Sequence, residues 1–103
     1  MTLIDTHCHL NDPSFGPSTG DVIDRAEAVG VSAFIVPAYD ARSLEHTSLL
    51  ASSYPGRVFP AYGLHPWYVA GSTNWGRLAA LLREDRTVAV GEIGLDFSPG
   101  CPP

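Results

Sequence analysis

Apolar and polar positions along the chain follow two rhythms that alternate. Four short runs rich in apolar residues, at 3–9, 33–37, 58–64 and 88–93, read as strands. Between them, apolar residues recur at three- and four-residue spacing, the signature of a helix with one buried face. Val22, Ile23, Ala26 and Val29 form the first stripe, Leu44, Thr47, Leu50 and Ala51 the second, and Trp75, Leu78, Leu81 and Leu82 the third. Punctuation agrees with this division. Thr19 or Asp21 is expected to cap the first helix and Gly30 to stop it. Asp40 is expected to cap the second, which ends before Pro55, and Ser72 and Asn74 precede the third.

The resulting order is β-α-β-α-β-α-β, with strands starting about every 25 to 30 residues, the length of one strand-plus-helix unit. Such an order implies a parallel α/β sheet with right-handed crossovers. Periodicity alone fits either a doubly wound sheet or part of a β/α barrel. The strand ends favour the barrel, because each finishes in polar or special residues: His7 and His9, then 37–40, then His65 and Pro66, then 92–96. Chemistry gathered at the C-terminal ends of successive strands is the barrel habit.

Composition narrows the field. A chain of 103 residues with 45% hydrophobic content supports one small globular domain. A net charge of -5 argues against a basic groove gripping nucleic acid, although bound divalent cations would offset much of that charge. All six cations are arginines, scattered along the chain, and lysine is absent. Cys8 and Cys101 form no disulfide framework, which points to a reducing, cytoplasmic setting. No apolar run approaches membrane-spanning length and no secretory leader is apparent, so neither membrane insertion nor secretion is expected.

Three stretches carry candidate chemistry. In "DTHCH" at 5–9, a strand would set Asp5, His7 and His9 on one face, and two imidazoles so placed can share a metal ion. Asp5 could then hold a ring nitrogen. The plainer alternative is a pair of histidines bonded to backbone or water at a polar strand end. In "GEIGLDF" at 91–97, Glu92 shares a face with Val88 and Val90, and an inward carboxylate needs a cation or several donors. Gly91 and Gly94 would permit close backbone approach and a turn. Asp96 is a helix cap, a hydrogen-bond anchor or a substrate contact. In "GLHP" at 63–66, small residues lead to His65, expected to act as a substrate contact or structural donor rather than a ligand. Trp67 and Tyr68 could line a cleft, although packing beneath a loop is the commoner fate of such residues. His46 is expected to face solvent, and Cys8 to be core rather than nucleophile. Nucleophile elbow, phosphate loop and dinucleotide fingerprint are all missing.

With "VIDRAEAVGVSAFIVPA" at 22–38, "AYGLHPW" at 61–67 and "VAVGEIGLDF" at 88–97, the opening "IDTHCHL" makes the chain resemble the N-terminal part of the TatD-type metal-dependent hydrolases, often called TatD-type deoxyribonucleases. The resemblance implies the N-terminal half of a TIM-like β/α barrel over residues 1–97, followed by an irregular proline-rich tail at 98–103. It implies a centre of two divalent ions (Zn, Mn or Mg), with His7 and His9 binding one and Glu92, the catalytic carboxylate, bridging to the second. Asp5, His65 and Asp96 would support the ligands or touch substrate. Water activated there would attack a phosphodiester of DNA.

Typical members of this kind are full barrels of about 250 residues, with further histidines and an aspartate from later strands. A truncated hydrolase is therefore expected, inactive alone or completed by self-association of two half barrels. The alternative is a non-catalytic remnant or a small metal-binding module.

Overall fold

The computed structural model describes residues 2–102. Four strands form one parallel sheet in the order β1-β2-β3-β4: β1 Leu3–Asp5, β2 Val31–Pro37, β3 Val58–Tyr62 and β4 Ala89–Val90. Helices α1 Thr19–Ala28, α2 Ala41–Ser53 and α3 Trp75–Leu82 connect them, α1 being entered through a 3-10 turn at Gly16–Ser18. Each strand lies beside its predecessor, so the winding never reverses. That is the order of a β/α barrel rather than of a doubly wound sheet, and right-handed crossovers then place all three helices on one face.

The middles of the helix stripes bury as expected, whereas Val29, at the C-cap of α1, and Trp75, the first residue of α3, are 77% and 58% exposed. Ile23 of α1 packs with Phe34 and Val36 of β2, Leu50 and Ala51 of α2, and Val58 of β3. A second cluster joins Leu44 of α2 to Tyr62 of β3 and Leu78 and Leu81 of α3. At about 1.5–3 kcal/mol per fully buried large aliphatic side chain, these clusters hold the helices to the central strands. The opposite face is concave, a hollow of about 460 Å³ floored by Ile35, Pro37 and Ala61 and rimmed by His7, His65 and Glu92.

Several boundaries differ from the sequence expectation. β1 ends at Asp5 rather than 9, because Asp5 Oδ1 accepts the His7 backbone N–H at 3.1 Å and turns the chain. Cys8 N–H still donates to Ile35 O at 3.1 Å, so the turned segment stays alongside β2. β3 stops at Tyr62 and β4 is two residues long, which leaves His65 and Glu92 on loops beyond strand ends. The cap position of α1 is Ser18, without a side-chain bond, since the preceding 3-10 turn feeds straight into the helix. The Thr19 hydroxyl instead donates to Gly16 O. Asp40 does cap α2, in a reciprocal box with Ser43, and Asn74 caps α3 by accepting Arg77 N–H. Gly30, at φ +104°, ends α1 in the left-handed region that glycine tolerates.

The outer strands are thinly covered: Leu3 is 47% exposed, Ile4 58% and Val90 57%. Residues 98–102 contain no helix or strand and are bent by a turn in which Cys101 N–H donates to Ser98 O. No helix among the described residues is long and apolar enough to cross a membrane.

Candidate metal centre

His7 and His9 leave β1 on the turn that Asp5 sets, and Glu92 leaves β4 across the hollow. Their side chains converge. His7 Nε2 lies 3.3 Å from His9 Nε2, His9 Nε2 lies 3.3 Å from one Glu92 oxygen, and His7 Nε2 lies 3.8 Å from the other. Among the described residues, this trio places one ligand atom from each within 4.8 Å of the others. Ligands held tetrahedrally at about 2.0–2.1 Å from an ion stand about 3.3 Å apart, so the spacing suits one cation with a further position open. Two imidazoles and a carboxylate suit Zn or Mn better than Mg, which prefers an all-oxygen shell. The Glu92 side chain is 24% exposed, so the ligand set is reachable from solvent.

Asn11 decides which His9 nitrogen faces the trio. It is fully buried. Its Nδ2 donates to Pro37 O and to Thr47 Oγ1, both at 2.9 Å, so its Oδ1 is left as the acceptor. That oxygen sits 3.2 Å from His9 Nδ1. The proton of a neutral His9 therefore resides on Nδ1, and the Nε2 lone pair points at His7 and Glu92. A metal-ligating histidine is usually oriented through its second nitrogen in this way. His46 extends the support: it is half-buried rather than solvent-facing, and its Nδ1–H donates to Asn11 O at 2.8 Å.

Glu92 is placed through a close backbone approach at Gly63, one strand over. A Cβ added at Gly63 would stand 2.5 Å from Glu92 O and 2.8 Å from Gly91 C. Gly91 and Gly94 have open space where a Cβ would go, so the close approach expected of them belongs to Gly63. Glu92 N–H donates to Ala38 O and Gly91 N–H to Tyr62 O, which ties the loop to the ends of β2 and β3.

The remaining sequence candidates fall around this trio. Asp5 touches the backbone N–H of His7 and no ring nitrogen. His65 Nδ1 accepts Trp67 N–H at 3.1 Å, so a neutral His65 keeps its proton on Nε2 and is a donor to the cleft. Asp96 accepts the Trp67 indole N–H at 2.6 Å and Ser98 N–H at 2.8 Å. Bonds from Ser98, then from Trp67, hold its carboxyl below the usual carboxylate range. Cys8 is half-buried against the core, and burial followed by the charge of Asp5 pushes its thiol up to about 11, the reverse of what a nucleophile needs.

Sequence reasoning missed Asn11 and Tyr39. The signal for Asn11 was present: the every-second-residue series Asp5, His7, His9 continues to it. Tyr39 carried no such mark, since only the fold brings its ring edge-on to His9, at 5.3 Å between centroids.

Fold and geometry together define a β/α-barrel protein with a residue trio suited to a divalent cation. The family model of the TatD-related DNases matches residues 4–103, and the chain belongs to that family. Deoxyribonuclease TATDN3 of Homo sapiens is 34% identical over 109 residues, covering 94% of this chain and 39% of the relative. The Escherichia coli K12 metal-dependent hydrolase YjjV, described as uncharacterized, is 37% identical over 98 residues, covering 91% and 38%. The crystal structure of YjjV, a TatD homolog, superposes with a TM-score of 0.79 at 35% identity, covering 95% of this chain and 39% of that one. A third relative, the 3'-5' ssDNA/RNA exonuclease TatD of Pectobacterium carotovorum, is 29% identical, covering 93% and 38%. The chain thus spans about 40% of the length of the relatives it matches.

Proposed function

We propose that the chain carries the first part of a metal-dependent hydrolase centre acting on phosphodiester bonds of DNA, with His7, His9 and Glu92 as ligands. The convergence of those three side chains, with His9 locked by Asn11, carries the reading. Relatives named deoxyribonuclease and ssDNA/RNA exonuclease support the substrate class. A bound divalent cation supplies polarisation of a phosphoryl oxygen and a water acidic enough to attack near neutral pH.

The protein residues do the rest. His9 presents a lone pair whose direction Asn11 fixes. Glu92, with both oxygens facing the histidines, would supply negative charge that balances part of the cation. His65, as an Nε2–H donor, is placed to bind a phosphate oxygen, and Asp96 holds Trp67 at the mouth of the cleft. The 1–97 segment is read as the barrel part and 98–103 as its tail. The uncovered outer strands fit edge-to-edge self-association of two sheets, and the two unpaired cysteines fit a reducing, cytoplasmic compartment.

The test is hydrolysis of a labelled single-stranded DNA oligonucleotide by the purified chain with Mn, Zn or Mg. Cleavage that disappears with chelator and in His7→Ala and Glu92→Gln is the expected result. Cleavage unaffected by both substitutions, or none with any of the metals, overturns the hydrolase reading. Metal binding without cleavage would instead identify a binding module.

A further inference from the structure

Beyond His9, aromatic rings follow one another along a second cleft of about 490 Å³ that shares His9 and Glu92 with the metal trio. Tyr39 meets His9 edge-on and leans on Tyr68 at 5.8 Å between centroids, their planes 47° apart. Tyr68 also meets His65 edge-on at 6.1 Å. Trp67 stands in the same wall, 39% exposed, and Tyr68 is 47% exposed. Aromatic residues that merely fill space beneath a loop are buried; these two keep 39% and 47% of their surface in solvent.

Their positions are nonetheless fixed. Trp67 donates its backbone N–H to His65 Nδ1 and its indole N–H to Asp96, whose other oxygen is held by Ser98 N–H. Tyr68 N–H donates to His65 O at 2.8 Å. Rigid rings of this kind supply contact area at little cost in conformational entropy.

Charge does not recruit a strand here. The lining includes the carboxylates of Asp12, Glu92 and Asp96 and neither lysine nor arginine, with the cation of Arg42 at its edge, beside Tyr39 and Asp12. A polyanion cannot be gripped there by its backbone charge alone, as in a basic groove. Stacking on a π face needs no charge and tolerates any base. Bases within a duplex are already stacked on their neighbours and offer no free face, so the matching partner is an unpaired one.

We infer that Tyr39, Tyr68 and Trp67 form a stacking platform for an unpaired nucleobase of the strand whose phosphodiester lies at His7, His9 and Glu92. The assignment rests on the proposed hydrolase reading and adds how the substrate is held.

The test is equilibrium binding in chelator, so that hydrolysis plays no part. Fluorescence anisotropy would compare a labelled single-stranded oligonucleotide with the same strand made abasic, and with its duplex. The platform predicts about tenfold tighter binding of the intact strand than of either other form. Tyr68→Leu lowers intact-strand binding to the abasic level, Tyr68→Phe retains it, and the intact-to-abasic ratio stays constant as salt is raised. Equal affinity for intact and abasic strands, no binding of either, or an unaltered Tyr68→Leu overturns the platform. The tenfold preference without any metal-dependent cleavage would leave the platform standing and remove the hydrolase reading.

Discussion

Asn11 Oδ1 lies 3.2 Å from His9 Nδ1, and the Asn11 amide is itself pinned from behind by Pro37 O and Thr47 Oγ1. A buried residue two positions beyond the second histidine therefore sets which nitrogen of that histidine can serve a cation. Asn11→Leu should weaken divalent-ion binding about 10- to 100-fold. It should also cost about 1–3 kcal/mol of stability, because Pro37 O and Thr47 lose their partner. Nitrogen NMR of His9 distinguishes the two effects: the Nδ1–H tautomer dominates in the wild type and gives way to a mixture in the variant. Asn11→Asp, which keeps the acceptor, should restore the tautomer. An unchanged tautomer in Asn11→Leu would show that Asn11 is merely structural.

Gly63 offers a second lever on the same centre from an adjacent strand end. Gly63→Ala forces a Cβ against Glu92 O and Gly91 C, both backbone, which cannot swing aside as a side chain would. The loop carrying Glu92 should shift, and metal affinity should fall at least tenfold while helical content holds. Titration calorimetry beside a circular dichroism melt checks both halves. Wild-type affinity in Gly63→Ala would mean that Glu92 is not held by this contact.

Cys8 gives a pH dependence with a definite sign. Its thiol pKa rises in the fold from 9.0 to about 11, chiefly by burial and then by the charge of Asp5. A raised folded pKa means that the stabilising contribution is complete below pH 9 and is lost as the pH rises through about 11. The unfolding midpoint of the wild type should therefore fall more steeply between pH 9 and pH 11 than that of Cys8→Ala. Parallel curves would contradict the assignment.

The exposed apolar residues of the outer strands, Leu3 and Ile4 on β1 and Val90 on β4, predict concentration-dependent self-association of the purified chain. Sedimentation velocity across a hundredfold concentration range should show it, and Ile4→Lys should shift the distribution towards monomer. A monomer throughout would mean that these edges do not pair between copies.

Much of this arrangement was legible in the sequence. The 25- to 30-residue rhythm placed all four strands and three helices, because the middle of each stripe buries against its neighbouring strands: Leu44, Thr47, Leu50 and Ala51 of α2 do so in full, while Val29 and Trp75 at the ends of the other two stay exposed. The ligand candidates were visible as residue types at strand ends. What periodicity missed lies where backbone geometry leaves the regular pattern. Asp5 stops β1 early by binding the His7 N–H, so the histidines meet Glu92 from a turn rather than from a strand face. The α1 cap was misplaced because a 3-10 turn has no apolar period of its own. Asn11 continues the spacing of Asp5, His7 and His9, but its anchors Pro37 and Thr47 lie 26 and 36 residues away and Gly63 meets Glu92 from one strand over, and single-sequence spacing carries no record of those contacts.

Titration calorimetry of the metal-free chain with Zn and Mn, repeated on His7→Ala, His9→Ala and Glu92→Gln, reads the metal centre itself. Saturable binding by the wild type with at least one ion per chain, and a loss of at least tenfold in affinity in each variant, are expected. Binding of equal strength in all four proteins, or no binding by the wild type, would contradict a centre built on these residues.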